Sequence, residues 1–301
     1  MPILTPSNKR KAISAAAFVL ATGLLCLAYA YFLEPSKLVV NRDVVFIKNW
    51  NRAFDGLKIV LIADIHGGSN NVTKEKIEEV VRLANAEKPD LTVLLGDYVS
   101  ESKRAGQALK MPISEIAPRL KPLRAKYGVF AVLGNHDVWN NGAAIASELR
   151  KNGITVLEHQ VATIDIGGAD LRILGLKDHT LVGKWSDYSN EGKTALDASN
   201  GTGDVIVLSH SPDMVELVTG DLKISDDLKL FLAAHTHGGQ VWFPLIGSPI
   251  VPSSYGQKYA RGHVIENGLD MYVTTGIGTS ILPIRFLVPP EIMVLNVRTE
   301  R

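Results

Sequence analysis

A chain of 301 residues with 32 basic and 31 acidic side chains, net charge +1, has room for one large domain or two small ones and lacks the basic field that nucleic acid selects. Its single cysteine, Cys26, lies in an apolar N-terminal stretch, so the folded part has no disulfide framework and no thiolate metal site. Any metal must be held by His, Asp, Glu or Asn, and the hydrophobic share of 46% supports a sizeable core.

Ala12 to Leu33 carries no charged residue and is long enough to cross a bilayer as a helix, which needs about 20 apolar residues. Residues 1–35 are therefore expected to form a single-pass membrane anchor and residues 36–301 the folded domain. Lys9-Arg10-Lys11 precedes the span, and clustered positive charge prefers the cytoplasm, which places the domain on the extracytoplasmic side. Lys37, Arg42, Lys48 and Arg52 lie near the other end and can rest on anionic headgroups. Ala28-Tyr29-Ala30 has the form of a signal-peptidase site, but the apolar run is longer than a typical signal sequence and favours an uncleaved anchor.

Leu38 to Ile47 reads as an edge strand. Leu57 to Ala63 is a buried strand that runs into Asp64-Ile65-His66, whose two side chains project to one side of an extended backbone. Thr73 to Glu87 has the apolar stripe of a helix, and Leu91 to Leu95 is the next strand, ending in Gly96-Asp97. This strand–helix–strand order implies a parallel unit with Asp64 and Asp97 on one sheet edge. Ser100 to Met111 reads as a loop, and Ile113 to Lys126 as a helix shortened by Pro118 and Pro122. Gly128 to Leu133 is a strand leading to Gly134-Asn135-His136-Asp137, and Ala143 to Lys151 a short helix.

Ile154–Leu157, Ala162–Ile166 and Leu171–Leu176 suggest a meander of short strands, with a second sheet as one place for it. Trp185 to Gly203, rich in Ser, Asn, Asp and Gly, reads as a long surface loop. Val205 to Leu208 leads to His210, a short helix runs from Pro212 to Val218, and Leu228 to Ala233 leads to His235-Thr236-His237. Phe243 to Gly262 reads as an ordered loop over the site, and Met271–Val273 and Ile292–Val297 are terminal strands.

Five strand ends thus carry Asp64 and His66, Asp97, Asn135 and His136, His210, and His235 and His237. Oxygen and imidazole donors without thiol suit Mn, Fe or Zn. There are more of them than one ion needs, and two ions about 3.5–4 Å apart form a clamp for phosphoester displacement. His136 can act as acid or base near neutral pH, with Asp137 holding its ring. His159, His179 and His263 show no partner pattern and read as ordinary surface or structural residues. Asp178, after the Leu171–Leu176 strand, reads as a turn residue, with a place behind the metal ligands as the alternative. Tyr255, Tyr259 and Arg285 read equally well as substrate contacts or as structural residues.

These motifs, from about Leu57 to the C-terminus, resemble the calcineurin-like metallophosphoesterase superfamily. His235-Thr236-His237-Gly238-Gly239-Gln240 and the tail from Gly276-Ile277-Gly278 through Leu282-Pro283-Ile284-Arg285 to Pro289-Pro290-Glu291 are similar to its YkuE/YaeI-type membrane-associated phosphodiesterase branch. The resemblance implies a four-layer α/β/β/α sandwich of two mixed sheets behind the N-terminal transmembrane helix. It implies two divalent ions, the first on Asp64, His66 and His237, the second on Asn135, His210 and His235, with Asp97 between. A metal-bridging hydroxide would attack phosphorus, and His136, partnered by Asp137, would protonate the leaving oxygen. The implied activity is a phosphodiesterase or pyrophosphatase on a lipid-linked or envelope phosphoester. A phosphomonoesterase, a UDP-2,3-diacylglucosamine pyrophosphatase with a cytoplasm-facing site, and a non-catalytic metal-binding scaffold are the alternatives. Ala234 stands where the family usually has Gly, which bears on the packing behind His235.

Overall fold

A computed structural model describes residues 6–100, 109–199 and 201–300. Residues 101–108, the middle of the loop expected after Ser100, lie outside the described residues. Among the described residues, twelve strands form two six-stranded mixed sheets. Strands β1 (Val39–Ile47), β2 (Leu57–Ile62), β3 (Leu91–Leu95), β4 (Val129–Val132), β5 (Thr155–Val156) and β12 (Glu291–Thr299) make the first, in the order β1-β12-β2-β3-β4-β5. Strands β6 (Gln160–Ile166), β7 (Ala169–Gly175), β8 (Val205–Leu208), β9 (Leu228–Ala233), β10 (Gly262–Glu266) and β11 (Leu269–Val273) make the second, in the order β10-β11-β9-β8-β7-β6. In the first sheet β2, β3, β4 and β5 run parallel, and in the second β7, β8, β9 and β11 do. β1 is an edge strand, as its partial alternation suggests.

Period-2 alternation divides each strand between two cores. Leu57, Ile59 and Leu61 of β2, Val93 and Leu95 of β3, and Leu295 of β12 meet Ile173, Ile206, Leu208, Leu230 and Leu232 of the second sheet. The alternate residues Val60, Ile62, Leu94 and Val294 face helices α2 (Lys74–Ala86), α3 (Ile113–Leu120) and α4 (Asn135–Lys151). Val205, Val207, Phe231 and Met271 face α5 (Trp185–Asp197) and α6 (Met214–Thr219). The strands read as continuous apolar runs because both faces are covered, and the layers are helix, sheet, sheet, helix.

Three expectations are corrected. The stretch expected to be a loop after Trp185 contains α5, a helix whose composition is polar but whose Tyr188, Gly192 and Leu196 recur every fourth residue and are buried. Gly192 allows this helix to approach the loop below, because a Cβ there would lie 2.8 Å from Ile224 Cδ1. The expected meander is divided between the sheets, since β5 pairs with β4 while β6 and β7 form a hairpin on the other sheet. The helix expected from Ala143 begins at Asn135 and runs through a kink at Asn141 (φ −169°, ψ 80°), so His136 and Asp137 occupy its first turn.

Helix α1 (Pro6–Ala28) stands away from the domain with its apolar residues exposed, and the span from Ser7 to Ser36 is long and apolar enough to cross a membrane. Its continuation, a π-helical turn over Tyr29–Leu33, docks on the domain. Ala30, Glu34 and Pro35 are buried there.

Replacing Leu232, fully buried between the sheets, by Ala is expected to cost about 2–5 kcal/mol of stability. The check is the denaturant midpoint of the full chain in detergent.

Candidate metal centre

The parallel strands of each sheet deliver their C-terminal ends to one edge, and the seven residues named from the sequence as metal ligands converge there. Asp64 and His66 follow β2, Asp97 follows β3, and Asn135 opens α4 after β4. His210 follows β8, and His235 and His237 follow β9. The first sheet supplies four donors and the second three. His66 Nε2 lies 3.2 Å from His237 Nε2, and His237 Nε2 is 3.7 Å from Asp64 Oδ1. His210 Nε2 is 3.1 Å from Asn135 Oδ1 and 3.1 Å from His235 Nδ1. Asp97 Oδ2 faces both groups, 3.5 Å from His66 Nε2 and 3.3 Å from His210 Nε2.

The backbone is built for this convergence. Asp64, His66, Asp97, His235 and His237 all have left-handed φ, between 45° and 71°. Asp and His tolerate that region better than most residues, but five such positions at one edge mark a place where geometry outweighs local preference. Bonds beyond the strand ends hold it. Asp64 N donates to Gly96 O, His66 N to Asp97 O, and Ile277 N to Ala63 O, each at 3.0 Å. Ala234, the departure from the family's usual Gly, is fully buried and is not among the left-handed residues, so its methyl group is accommodated without backbone strain.

The donor set fits divalent cations. Both oxygens of Asp64 are buried without a hydrogen-bond partner, and a buried carboxylate left so is costly unless a cation faces it. His66 Nδ1 donates to Val99 O (3.2 Å) and His210 Nδ1 to Leu95 O (2.7 Å), which turns each Nε2 inward, the orientation of metal-binding histidines. Burial holds His66 and His235 at about 3, so both are neutral imidazoles able to ligate. Burial lifts the Asp64 carboxyl to about 7, against the pull of His210. At His210 burial acts to remove the proton, yet the Asp97 carboxylate raises the group to about 10. The field that keeps a proton between Asp97 and His210 is a field for positive charge. Asp64, His66 and His237, and separately Asp97, His210 and His235, each present ligand atoms within 4.8 Å of one another.

His136 sits at the rim, half-buried, with its ring centroid 4.8 Å from that of His66 and 5.4 Å from that of Trp139. It offers a nitrogen within 4.8 Å of the His66 and Asp97 ligand atoms, and its Nε2 lies 3.4 Å from Ser280 Oγ. Asp137 does not hold the His136 ring, contrary to expectation. Its carboxylate accepts from the backbone N–H groups of Asp97 (2.8 Å), Tyr98 (2.9 Å) and Gly134 (3.0 Å), and so ties the β3 loop to the start of α4. The adjacent residue on a helix points about 100° away, which is why neighbours in sequence do not pair here.

Two residues matter more than their sequence suggests. His179 is not an ordinary surface histidine, because its ring centroid lies 5.4 Å from that of His235 and its Nδ1 lies 3.3 Å from the buried Asp178 carboxylate. Asp178 keeps its expected turn role by capping Thr180 N at 2.9 Å. Arg285 is fully buried behind the site. It donates to the carbonyls of Thr275, Gly276, Gly278 and Val288, and its Nη2 lies 3.5 Å from His237 Nδ1. A lone Arg in a Pro-rich tail gives no signal of this, since the carbonyls it gathers are backbone groups. Tyr259 is structural, its hydroxyl set 2.8 Å from Glu216 Oε1 and 2.6 Å from Glu266 Oε2.

Residues 57–239 match the family model described as calcineurin-like phosphoesterase. The chain is 32% identical to an uncharacterized metallophosphoesterase, YkuE, of Bacillus subtilis, over 90% of this chain and 89% of that one. It is 28% identical to the phosphodiesterase YaeI of Escherichia coli, over 96% of this chain and 98% of that one. It is 27% identical to a zebrafish transmembrane protein with a metallophosphoesterase domain, over 86% of this chain and 56% of that one.

A Cβ on Gly134 would collide with the Asp97 carboxylate and lie 2.7 Å from Asp97 N. Gly134→Ala should therefore lose metal, read by elemental analysis after dialysis, and about 1–3 kcal/mol of stability. Gly183→Ala, whose Cβ meets nothing within 4 Å, is the control that should change neither.

Proposed function

This chain belongs to the calcineurin-like phosphoesterase family, and we propose that it is a membrane-anchored, metal-dependent phosphodiesterase or pyrophosphatase whose substrate is a lipid-linked phosphoester. The observation that carries this reading is Asp97 Oδ2, which faces His66 of one donor group on its own sheet and His210 of the other across the seam between the sheets. In this reading Asp64, His66 and His237 hold one divalent ion, Mn, Fe or Zn, and Asn135, His210 and His235 a second, with Asp97 shared. Two such cations, when bound, supply the charge that neutralises a phosphoester and acidifies water.

The chain's own residues do the rest. The N–H of His136 donates to Asp97 Oδ1 at 2.9 Å and so fixes which oxygen Asp97 turns to the donors. The first turn of α4 directs the positive end of its dipole at the same place, where an anionic phosphoester is favoured. His136 stands beside the donors with its ring partly open to solvent, and its role is to give a proton to the departing oxygen. A diester needs that proton most when its leaving group is a poor one. The relative named as a phosphodiesterase supports diester over monoester chemistry. The exposed apolar helix supports a membrane-borne substrate, and Lys9-Arg10-Lys11 at its far end supports an extracytoplasmic domain.

The test is hydrolysis of bis-p-nitrophenyl phosphate against the monoester by the full chain in detergent with Mn²⁺. Diester cleavage should dominate and be lost on chelation, and Asp97→Ala should lose both metal and activity. Diester cleavage that survives chelation would overturn the reading. His136→Gln should retain metal and lose on the order of 10²–10⁴ in rate on an alkyl diester. Its loss should be smaller with p-nitrophenolate as leaving group, because that anion departs with little need of a proton. Equal losses on both substrates would remove His136 from the proton-donor role.

A further inference from the structure

The domain end of the apolar helix docks on the loops that border the metal site. Arg285 N donates to Ala30 O at 3.0 Å, and Asn70 Nδ2 donates to both Tyr31 O and Pro283 O at 2.7 Å. The Tyr29 and Phe286 rings meet edge to face at 6.1 Å. From Phe286 the contacts continue to the loop after His237. Phe286 N donates to Gln240 O, Trp242 N donates to Phe286 O, and the Phe243 ring lies 5.7 Å from that of Phe286. Gln240 Nε2 donates to Leu282 O and its Oε1 accepts from Ser280 N, whose side chain faces His136.

These two loops expose large aliphatic side chains that a water-facing rim does not call for. Leu245 is wholly exposed, Ile281 is 95% exposed and Ile250 is 73% exposed, with Ile246, Leu282 and Leu287 also open. Leu245 (φ 74°), Ile281 (φ 64°) and Leu287 (φ 56°) sit on left-handed backbone. For a β-branched residue such as Ile281 that conformation is a genuine outlier, and burial in the protein does not repay it. The same face carries aromatic residues with polar tips, Tyr29, Tyr31 and Trp242, with Lys37 over the Tyr29 ring and Arg261 over the Trp242 ring. Amphipathic aromatics with adjacent cations are what sits at headgroup depth. The occupant follows from continuity, since a helix that leaves the bilayer at Ala28, where the docked turn begins, delivers these loops to the bilayer surface.

We propose that the loops Trp242–Ile250 and Ile281–Leu287 insert their aliphatic tips into the bilayer beside the anchor, so that the metal site opens onto the membrane surface. The proposal rests on the membrane-anchored reading above and adds the surface that holds the domain against the lipid. It gives the apolar tips a partner and brings His136, through Ser280, to the level of the headgroups. A phosphoester carried on a lipid then reaches the site without leaving the bilayer.

The experiment uses the full chain in nanodiscs of phosphatidylcholine and phosphatidylglycerol, with Cys26→Ser and a single new cysteine labelled with an environment-sensitive fluorophore. Ile281→Cys and Ile250→Cys report on the loops. Asp165→Cys, in the β6–β7 hairpin at the opposite edge, is the reference. Labels on the loops should emit at shorter wavelength and be quenched strongly by lipids carrying a spin label high on the acyl chain, while the reference label should not. Loop labels quenched no more than the reference would overturn the proposal. Hydrolysis of bis-p-nitrophenyl phosphate on the same nanodiscs keeps the two readings apart. Quenching without diesterase activity would support the membrane surface and remove the catalytic reading, whereas activity without quenching would do the reverse.

Discussion

Left-handed backbone at Asp64, His66, Asp97, His235 and His237 is the constraint on which the rest of this structure depends. Each such residue costs on the order of 1 kcal/mol or more, and a domain's whole net stability is only about 5–15 kcal/mol. The conformations persist because the surroundings over-determine them. The sheet ladder continues past β2 and β3 into the Asp64 and Asp97 loops. Asp137 gathers the amides of Asp97, Tyr98 and Gly134 from one side. Arg285 gathers the carbonyls of the C-terminal loop from the other, behind His237. Neither of these charged residues reaches the centre of the site, but both set where the donors point.

The donors are shared between the sheets, four from one and three from the other. No strand, and no single sheet, owns a complete set. The site therefore exists only when the layer of Leu61, Leu95, Leu208 and Leu232 is packed, and the register of that core decides whether Asp97 meets His210. Packing and ligand geometry are thus one problem. A group that binds across such a seam contributes to holding the sheets together, which is how metal binding and folding become coupled.

The N-terminal segment is bound to the same machinery. The turn after α1 accepts a hydrogen bond from Arg285, the residue whose guanidinium steadies the loop behind His237. The N-terminal segment, the C-terminal loop and the candidate metal centre thus meet through a few backbone bonds at one edge of the molecule. The opposite edge, with the β6–β7 hairpin, carries none of this chemistry. The molecule is polarised end to end, and the sheet direction is the reason, since parallel strands deliver all their C-terminal ends to the same place.

The sequence alone determined the family, the ligand-type side chains at the strand ends and most of the architecture. Apolar runs ending in Asp, His or Asn identify strands whose ends carry ligand-type side chains, and that pattern survives without knowledge of packing. The apolar N-terminal helix, the edge strand β1 and the helix α3 shortened near its prolines were legible for the same reason, because local composition decides them. Tertiary structure decided what local pattern cannot reach. Helix α5 was hidden by its polar composition, as its buried face is made of Tyr188, Ser189, Gly192 and Leu196, two of them small. The partners of Asp137 are not its sequence neighbour His136, because its hydrogen bonds run to the β3 loop, some forty residues away in the chain and adjacent only across the sheet. His179 gave no signal, and Arg285 none that chose between substrate contact and structural role, because what they touch, the His235 ring and a set of backbone carbonyls, is assembled from distant segments. A sequence records which side chains are present and with what period. Which of them face one another is set by how the two sheets close over their common core.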